Sequence, residues 1–253
     1  MKTTVIIPTY NERENLADLV EQILALPLRP HVVVVDDNSP DGTGDLADEI
    51  AAHDEQVSVV HRPGKLGLGT AYIAGFRQAL ADAADRVVTM DADFSHQPCY
   101  IPAVVALTET HHVGIGSRYV PGGGVTAAWG IHRKFLSWGA NHFARTLLGL
   151  KANDCTAGFR CYRSEVLRCI DLDCIFSNGY SFLIEMMYKC QQLGYTFGET
   201  PILFENRYKG DSKISRGEIY RAMYTVLRLS ASRLLFWRAV ERYGARAQDI
   251  EMR

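Results

Sequence analysis

Several common chemistries are missing from this 253-residue sequence. There is no GxxxxGK(S/T) element, which excludes a P-loop, and Gly67-Leu68-Gly69-Thr70-Ala71-Tyr72 lacks the third glycine of a dinucleotide fingerprint. Neither an HExxH helix nor a GxSxG elbow occurs, which removes the zincin and nucleophile-elbow readings. The six cysteines (Cys99, Cys155, Cys161, Cys169, Cys174, Cys190) form no CxxC pair and have no His at zinc-ligand intervals. They read as reduced thiols, the expectation for a cytosolic chain. No run approaches the ~18–20 uncharged residues of a spanning helix. The chain enters an apolar strand almost at once, without a signal-peptide pattern. Internal repeats and low-complexity segments are absent.

What remains is a chain long enough for one sizeable domain, able to bury roughly 70–75% of its unfolded surface without disulfides. Its net charge of −2 is uneven. From Arg207 to Arg253 eleven Lys/Arg face five Asp/Glu, so this tail carries +6 and the rest −8. Such a tail suits an anionic membrane, an acidic partner or a merely solvated helix surface; interleaved aromatics on a recognisable nucleic-acid module are missing, and nucleic acid is not an expected partner.

Short β-branched runs alternate with helix-period segments, the pattern of an α/β fold around a mostly parallel sheet. Strands are expected at Thr4–Ile7, Val32–Val35, Val57–Val60, Val87–Met90, Val113–Gly116 and Ile202–Asn206. The first helix carries Leu16, Leu19, Val20, Ile23 and Leu24 on one face, with Asn11 and Glu14 suited to cap its start. Further helices fit Thr43–His53, Gly69–Ala83, Tyr100–Thr108, His132–Leu148 and Ser181–Leu193. Pro63–Gly69 and Pro121–Gly124 read as loops, the second either a lid over a site or a plain surface loop. In the tail, Ile219, Met223, Val226, Leu227, Leu234 and Trp237 share an apolar helical face, opposite Arg221 and Arg228 but interrupted by Arg233. That face suits a membrane interface or packing on the main domain equally well.

Carboxylates gather at strand ends. Val32–Val35 runs into Asp36-Asp37, and Val87–Met90 into Asp91-Ala92-Asp93. Open α/β sheets bind ligands beyond the carboxyl ends of their strands. Residues two apart on extended backbone point the same way, so Asp91 and Asp93 suit one hard cation such as Mg²⁺ or Mn²⁺, bridging to phosphates. Basic residues follow other strands: Arg118, Arg133, Arg207 and Lys213. Together they fit a ligand with more than one phosphate. Glu12 also suits a first-turn helix acid, Asp41-Gly42 a turn, and Arg160 with Glu185 a structural ion pair.

The segments Pro8-Thr9-Tyr10-Asn11-Glu12, Asp36-Asp37-Asn38-Ser39-Pro40-Asp41-Gly42-Thr43, Lys65-Leu66-Gly67-Leu68-Gly69, Asp91-Ala92-Asp93-Phe94-Ser95-His96, Gly116-Ser117-Arg118-Tyr119, Arg133-Lys134-Phe135-Leu136-Ser137, Asp154-Cys155-Thr156-Ala157-Gly158-Phe159-Arg160 and Gly210-Asp211-Ser212-Lys213 carry a resemblance. Spread over about residues 3–230, they resemble the inverting nucleotide-sugar transferases of glycosyltransferase family 2. They are especially similar to the dolichol-phosphate mannosyltransferase and polyprenol monophosphomannose synthase branch. The resemblance implies a GT-A fold over residues 1–215, with a helical appendage over 216–253. It implies mannose transfer from GDP-mannose to a polyprenyl phosphate with inversion. Pro8, Tyr10, Glu12, Val35 and Asp37 would hold the guanosine; Asp91, Ala92 and Asp93 the diphosphate and its metal; Arg207 and Lys213 the donor. Arg118, Arg133 and Ser137 would engage phosphates, the acceptor's included. Some relatives place Gln as a further metal ligand where this chain has Ser95. The implied setting is peripheral, on the cytoplasmic face of a membrane, with a membrane-anchoring subunit as a candidate partner. Alternatives are another donor such as UDP-glucose, and a nucleotide-binding subunit without turnover of its own.

Overall fold

The structure is a computed structural model that describes residues 1–126, 130–205 and 217–232, the side chain of Arg133 excepted. Its strands are β1 (Thr3–Thr9), β2 (His31–Asp36), β3 (Val57–His61), β4 (Arg86–Thr89), β5 (Val113–Ser117), β6 (Gly124–Val125), β7 (Arg160–Arg163), β8 (Phe197–Pro201) and β9 (Leu203–Phe204). The helices are α1 (Arg13–Leu24), α2 (Thr43–His53), α3 (Leu68–Ala81), α4 (Ile101–Ala106), α5 (Ile131–Leu148), α6 (Ser164–Cys169) and α7 (Ser181–Gln192), with α8 over 217–232. Seven strands form one sheet in the order β3-β2-β1-β4-β7-β5-β8; β6 and β9 make a separate two-stranded ladder. Only β7 runs antiparallel to its neighbours in the large sheet, so the expected mostly parallel α/β architecture is what forms.

The uninterrupted valines of β2 follow from burial on both faces, the usual condition of a parallel strand covered by helices. Val33 and Val35 pack with Tyr72 and Phe76 of α3, while Val32 and Val34 pack with Leu16, Leu19 and Ile23 of α1. Each such side chain contributes about 1.5–3 kcal/mol on burial, which fixes β1, β2 and β4 side by side and their carboxyl ends in one row.

Four expectations need correction. Asn11 and Glu14 do not cap α1: Asn11 adopts φ 58°, and the N-cap residue is Glu12, whose side chain makes no capping bond to the first turn's amides. The amides at the helix entry find partners across the fold instead. Asn11 N donates to Ser39 Oγ (3.1 Å), Glu12 N to Thr43 Oγ1 (3.0 Å) and Arg13 N to Asp41 Oδ2 (3.3 Å). Asp41 thus belongs to a clamp between the loops after β1 and β2.

The strand expected at Ile202–Asn206 is, among the described residues, only the two-residue β9 (Leu203–Phe204), with Asn206 outside them; the edge strand of the large sheet is β8, ending at Pro201. Strand β7 was not anticipated: Arg-Cys-Tyr-Arg looks polar, yet Arg160 is buried, bonded to the carbonyls of Leu183 (2.7 Å) and Cys155 (2.9 Å). Nor does Arg160 pair with Glu185, whose carboxylate takes the Ser177 N–H (2.9 Å) and hydroxyl. The segment expected as one helix from Tyr100 is a 3-10 turn, then α4, then a second 3-10 turn. The six cysteines are free thiols, as expected.

Candidate active site

Because β2, β1 and β4 are neighbours, their carboxyl ends bring Asp36-Asp37, Tyr10-Glu12 and Asp91-Asp93 together. The two acids after β2 have different work. Asp36 is buried and fully engaged: it accepts from Thr9 Oγ1 (2.8 Å), Ser39 N (2.9 Å) and Ser39 Oγ (2.6 Å), which shapes the loop. Asp37 pairs with Arg62 Nη1 at 2.5 Å, and Arg62 Nη2 donates to Thr70 Oγ1 at 2.6 Å. Burial pushes the Asp37 carboxyl up, against the pull of Arg62. Arg62 escaped the sequence reading because its partner lies 25 residues away. Lys65 sits over the Tyr10 ring at 4.3 Å, closing the other side of this corner.

The preceding glycine is forced. Gly67 has φ 101°, and a Cβ there would lie 2.3 Å from Asn178 Oδ1. Asn178 Nδ2 in turn donates to the Leu66 carbonyl (2.7 Å), so the loop before α3 is held from the start of α7.

Asp91 and Asp93 straddle buried Ala92 at the end of β4. The Asp91 N–H donates to His96 Nδ1 (3.1 Å), which makes that nitrogen an acceptor and the ring neutral. Burial lowers the His96 pKa in the same sense, and the ring is stacked on Phe159. Tyr72 donates its hydroxyl to Asp91 Oδ1 (3.3 Å); burial and Asp91 together raise the phenol's pKa, so it stays a donor. Asp93 is buried and accepts the Ser95 N–H (3.1 Å) across Phe94, which adopts φ 60°. Ser95 Oγ is buried and has no hydrogen-bond partner among the described residues.

This donor set fits Mg²⁺ or Mn²⁺. It consists of oxygens, with an orphaned hydroxyl beside two carboxylates. Among the described residues no cluster of three or more His, Cys, Asp or Glu forms a closed cage. A cation that shares its ligands with waters and substrate phosphates needs no such cage.

Arg118 follows β5 and is held by Asp154. Its Nε and Nη2 donate to the two carboxylate oxygens at 2.8 Å each, its backbone N–H adds a third bond at 3.1 Å, and Nη2 also reaches Thr156 Oγ1 (2.7 Å). Both side chains are nearly excluded from solvent. Burial alone would raise the Asp154 pKa, but Arg118 overrides it and leaves the carboxyl below its ordinary value. Arg118 is thus fixed in direction by a fork-to-fork pair. Asp154, 36 residues away, was read as part of a motif and not as its partner.

Of the remaining expected residues, Ser137 Oγ lies 2.8 Å from Tyr119 Oη, linking α5 to the segment after β5. Arg133 is in the first turn of α5; its side chain lies outside the described residues. Arg207 and Lys213 are also outside them. Pro8 and Val35 are register partners in β1 and β2. Val35 is completely buried against α3, so its part is to build the floor of the corner, not to present a side chain to a ligand. Glu12 is nearly buried, its Oε2 accepting from Asn15 Nδ2 (3.0 Å). The loop at Pro121–Gly124, read as either a lid or a plain surface loop, is partly fastened: Gly124–Val125 pairs with Leu203–Phe204, and a Cβ on Gly123 would lie 2.5 Å from the Ser117 carbonyl. Residues 127–129 lie outside the described residues.

The chain is 46% identical over 228 residues to an undecaprenyl-phosphate mannosyltransferase of Micrococcus luteus, covering 90% of this chain and 93% of that one. It is 47% identical over 227 residues to a polyprenol monophosphomannose synthase of Mycolicibacterium smegmatis, covering 89% and 85%. Among solved structures, mannosyl-3-phosphoglycerate synthase from Rubrobacter xylanophilus aligns with TM-score 0.65 at 20% identity, over 92% of this chain and 74% of that one. Glucosyl-3-phosphoglycerate synthase from Mycobacterium tuberculosis, crystallised with Mn²⁺, UDP and glucosyl-3-phosphoglycerate, aligns with TM-score 0.63 at 21% identity, over 91% and 80%. These structural likenesses establish the GT-A fold. The family profile described as Glycosyl transferase family 2 matches residues 4–171, and with it the two acidic strand ends, Arg118 and its partner Asp154: the chain belongs to glycosyl transferase family 2.

Proposed function

We propose that this glycosyltransferase moves mannose from GDP-mannose to a polyprenyl monophosphate, with inversion, at a membrane surface. The observation that carries the reading is identity near 46% over about nine-tenths of the chain to two enzymes named for polyprenyl phosphate mannose. The site's chemistry agrees with it. Pro8, Tyr10, Glu12 and Asp37 receive the nucleoside, with Val35 beneath and Arg207 and Lys213 contributing from the donor side. Asp91 and Asp93, with Ala92 between them and Ser95 adjacent, hold Mg²⁺ or Mn²⁺, which supplies positive charge for the departing diphosphate. Arg118, Arg133 and Ser137 hold the acceptor phosphate.

A phosphate acceptor removes the need for a protein base. A sugar hydroxyl must lose a proton as it attacks, whereas a phosphate monoester, with a second pKa of about 6, is already largely dianionic at neutral pH. A guanidinium aimed by Asp154 favours that dianion and holds one of its oxygens toward the anomeric carbon. The new bond joins that oxygen to the anomeric carbon as the bond to GDP breaks; no proton changes hands.

The membrane part of the proposal rests on α5 and α8. Ile131 and Phe135 are 82% and 72% exposed, with Leu136 and Trp138 about half exposed, all on the half of α5 that carries Arg133 and Ser137. On α8, Val226 and Leu229 are buried while Tyr220, Met223, Tyr224 and Leu227 are exposed at helical spacing. The tail's apolar face is therefore divided. Val226 packs on the domain, Met223 and Leu227 face outward, and Leu234 and Trp237 lie outside the described residues. No helix among the described residues is long and apolar enough to cross a membrane, so an interfacial seat for these faces is the reading proposed.

The test uses one enzyme on two acceptors. Burying Phe135 or Trp138 is worth about 1.5–3 kcal/mol each, so Phe135→Ser with Trp138→Ser should lower kcat/KM at least tenfold on vesicles carrying long-chain polyprenyl phosphate. The rate on a short, soluble polyprenyl phosphate should change little. Equal losses on both would remove the membrane face. Wild type that works on native membranes but not on pure lipid vesicles would make a separate anchoring subunit the membrane contact. Absence of mannose transfer on either acceptor would remove the mannosyl reading.

A further inference from the structure

Asp154 aims Arg118, yet Asp154 sits in a segment with no regular secondary structure. What fixes it is a run of side chains. The backbone N–H groups of residues 153 to 156 are taken in succession by side-chain oxygens. Asn153 N donates to Glu199 Oε2 (2.7 Å), Asp154 N to Glu199 Oε1 (3.0 Å), Cys155 N to Asn141 Oδ1 (2.9 Å) and Thr156 N to Asp154 Oδ1 (3.2 Å). Asn153 Nδ2 adds a further bond to Glu199 Oε2 (2.9 Å). Glu199 therefore uses both carboxylate oxygens to grip two adjacent residues, one of them Asp154.

Its placement makes the grip rigid. Glu199 lies on β8 opposite Ile115 of β5, and β5 runs directly into Arg118. One strand pair thus carries the arginine and the carboxylate that orients the arginine's partner. From the other side Asn141 holds Asn153 O (2.6 Å) and Cys155 N, and Asn141 stands one helical turn from Ser137 on α5. A carboxylate accepting backbone amides at both oxygens is a charge-assisted contact, stronger than a neutral one.

We infer that Glu199 is a positioning residue, which acts through Asp154 to set the direction of Arg118. The inference rests on the proposal above that Arg118 engages a substrate phosphate. An amide at position 199 has one accepting oxygen and would turn an NH₂ toward an N–H donor, so the segment must shift. Displacements of about 1 Å far from the reacting atoms can cost on the order of 10²-fold in rate.

The experiment is a double-mutant cycle on the full chain, with GDP-mannose and a short polyprenyl phosphate, in Glu199→Gln, Arg118→Lys and the double variant. Glu199→Gln should lower kcat/KM for the acceptor about 10- to 100-fold and leave the affinity for GDP with Mg²⁺ unchanged. In the Arg118→Lys background it should cost less than threefold, since the group it positions is gone. Additive losses, or a wild-type rate in Glu199→Gln, would overturn the inference while leaving the role of Arg118 intact. An unaltered rate in Arg118→Lys would instead overturn the reading beneath it. If Glu199→Gln does not fold, Glu199→Asp, which keeps the charge but not the reach, is put through the same cycle with the same expected outcomes.

Discussion

Asp93→Asn should lower mannosyl transfer on the order of 10³-fold and leave the fold intact, with a wild-type circular dichroism spectrum. The rate loss follows from charge: the position lies at the end of β4, two residues after Asp91, where the cation proposed above would lose part of its negative ligand set. Losing one fixed contact to a developing charge typically costs about 10²–10³ in rate. The retained fold follows from shape: the residue is buried and accepts the Ser95 N–H. An asparagine oxygen accepts the same bond in the same volume. Excess Mn²⁺ should recover part of the activity by mass action. Full activity in the variant, or full activity of the wild type in excess chelator, would show that the two carboxylates do something else.

The second large effect is on stability. Asp154→Asn should destabilise the protein by about 3–5 kcal/mol, because Arg118 keeps its charge and loses its counter-charge in a buried place. For a domain of this size that is roughly 6–20 °C in Tm. The pH dependence has a definite sign. The Asp154 carboxyl titrates below its ordinary value in the folded protein. Its contribution is therefore complete above an unfolded carboxylate pKa of about 3.9 and fades as pH falls through the folded value. Wild-type stability should drop more steeply than the variant's below about pH 4, and the two curves should converge. Arg118→Met with Asp154→Leu should recover much of the lost stability and none of the activity, since a well-packed apolar pair often replaces a buried ion pair without loss. A variant Asp154→Asn that melts with wild type would mean that the pair is not buried as described.

The parallel strands were legible because β-branched runs such as Val32–Val35 leave few alternatives, and the DxD because it follows such a run. Strand β7 was hidden by its content: Arg160 pays for burial with backbone carbonyls, and no local pattern announces that. Asp37 was recognised without Arg62, and Arg118 without Asp154, since the two members of each pair lie 25 and 36 residues apart and meet only through the sheet. The failed cap at Asn11 has the same origin: amides that sequence assigns to neighbours are satisfied by Ser39, Asp41 and Thr43 of another loop. His96 stood in plain view within the motif, and its task of holding the Asp91 amide needed the fold to become visible.

The most direct measurement is transfer itself: purified protein, GDP-mannose labelled in the sugar, Mg²⁺ or Mn²⁺, and a short polyprenyl phosphate, followed by lipid extraction. Label is expected in the lipid fraction as polyprenyl phosphate mannose of inverted configuration, with one GDP released for each mannose transferred and no transfer from UDP-glucose. Label that stays with the nucleotide while UDP-glucose glycosylates the lipid, or retention of the donor's anomeric configuration in the product, would contradict the proposed reaction.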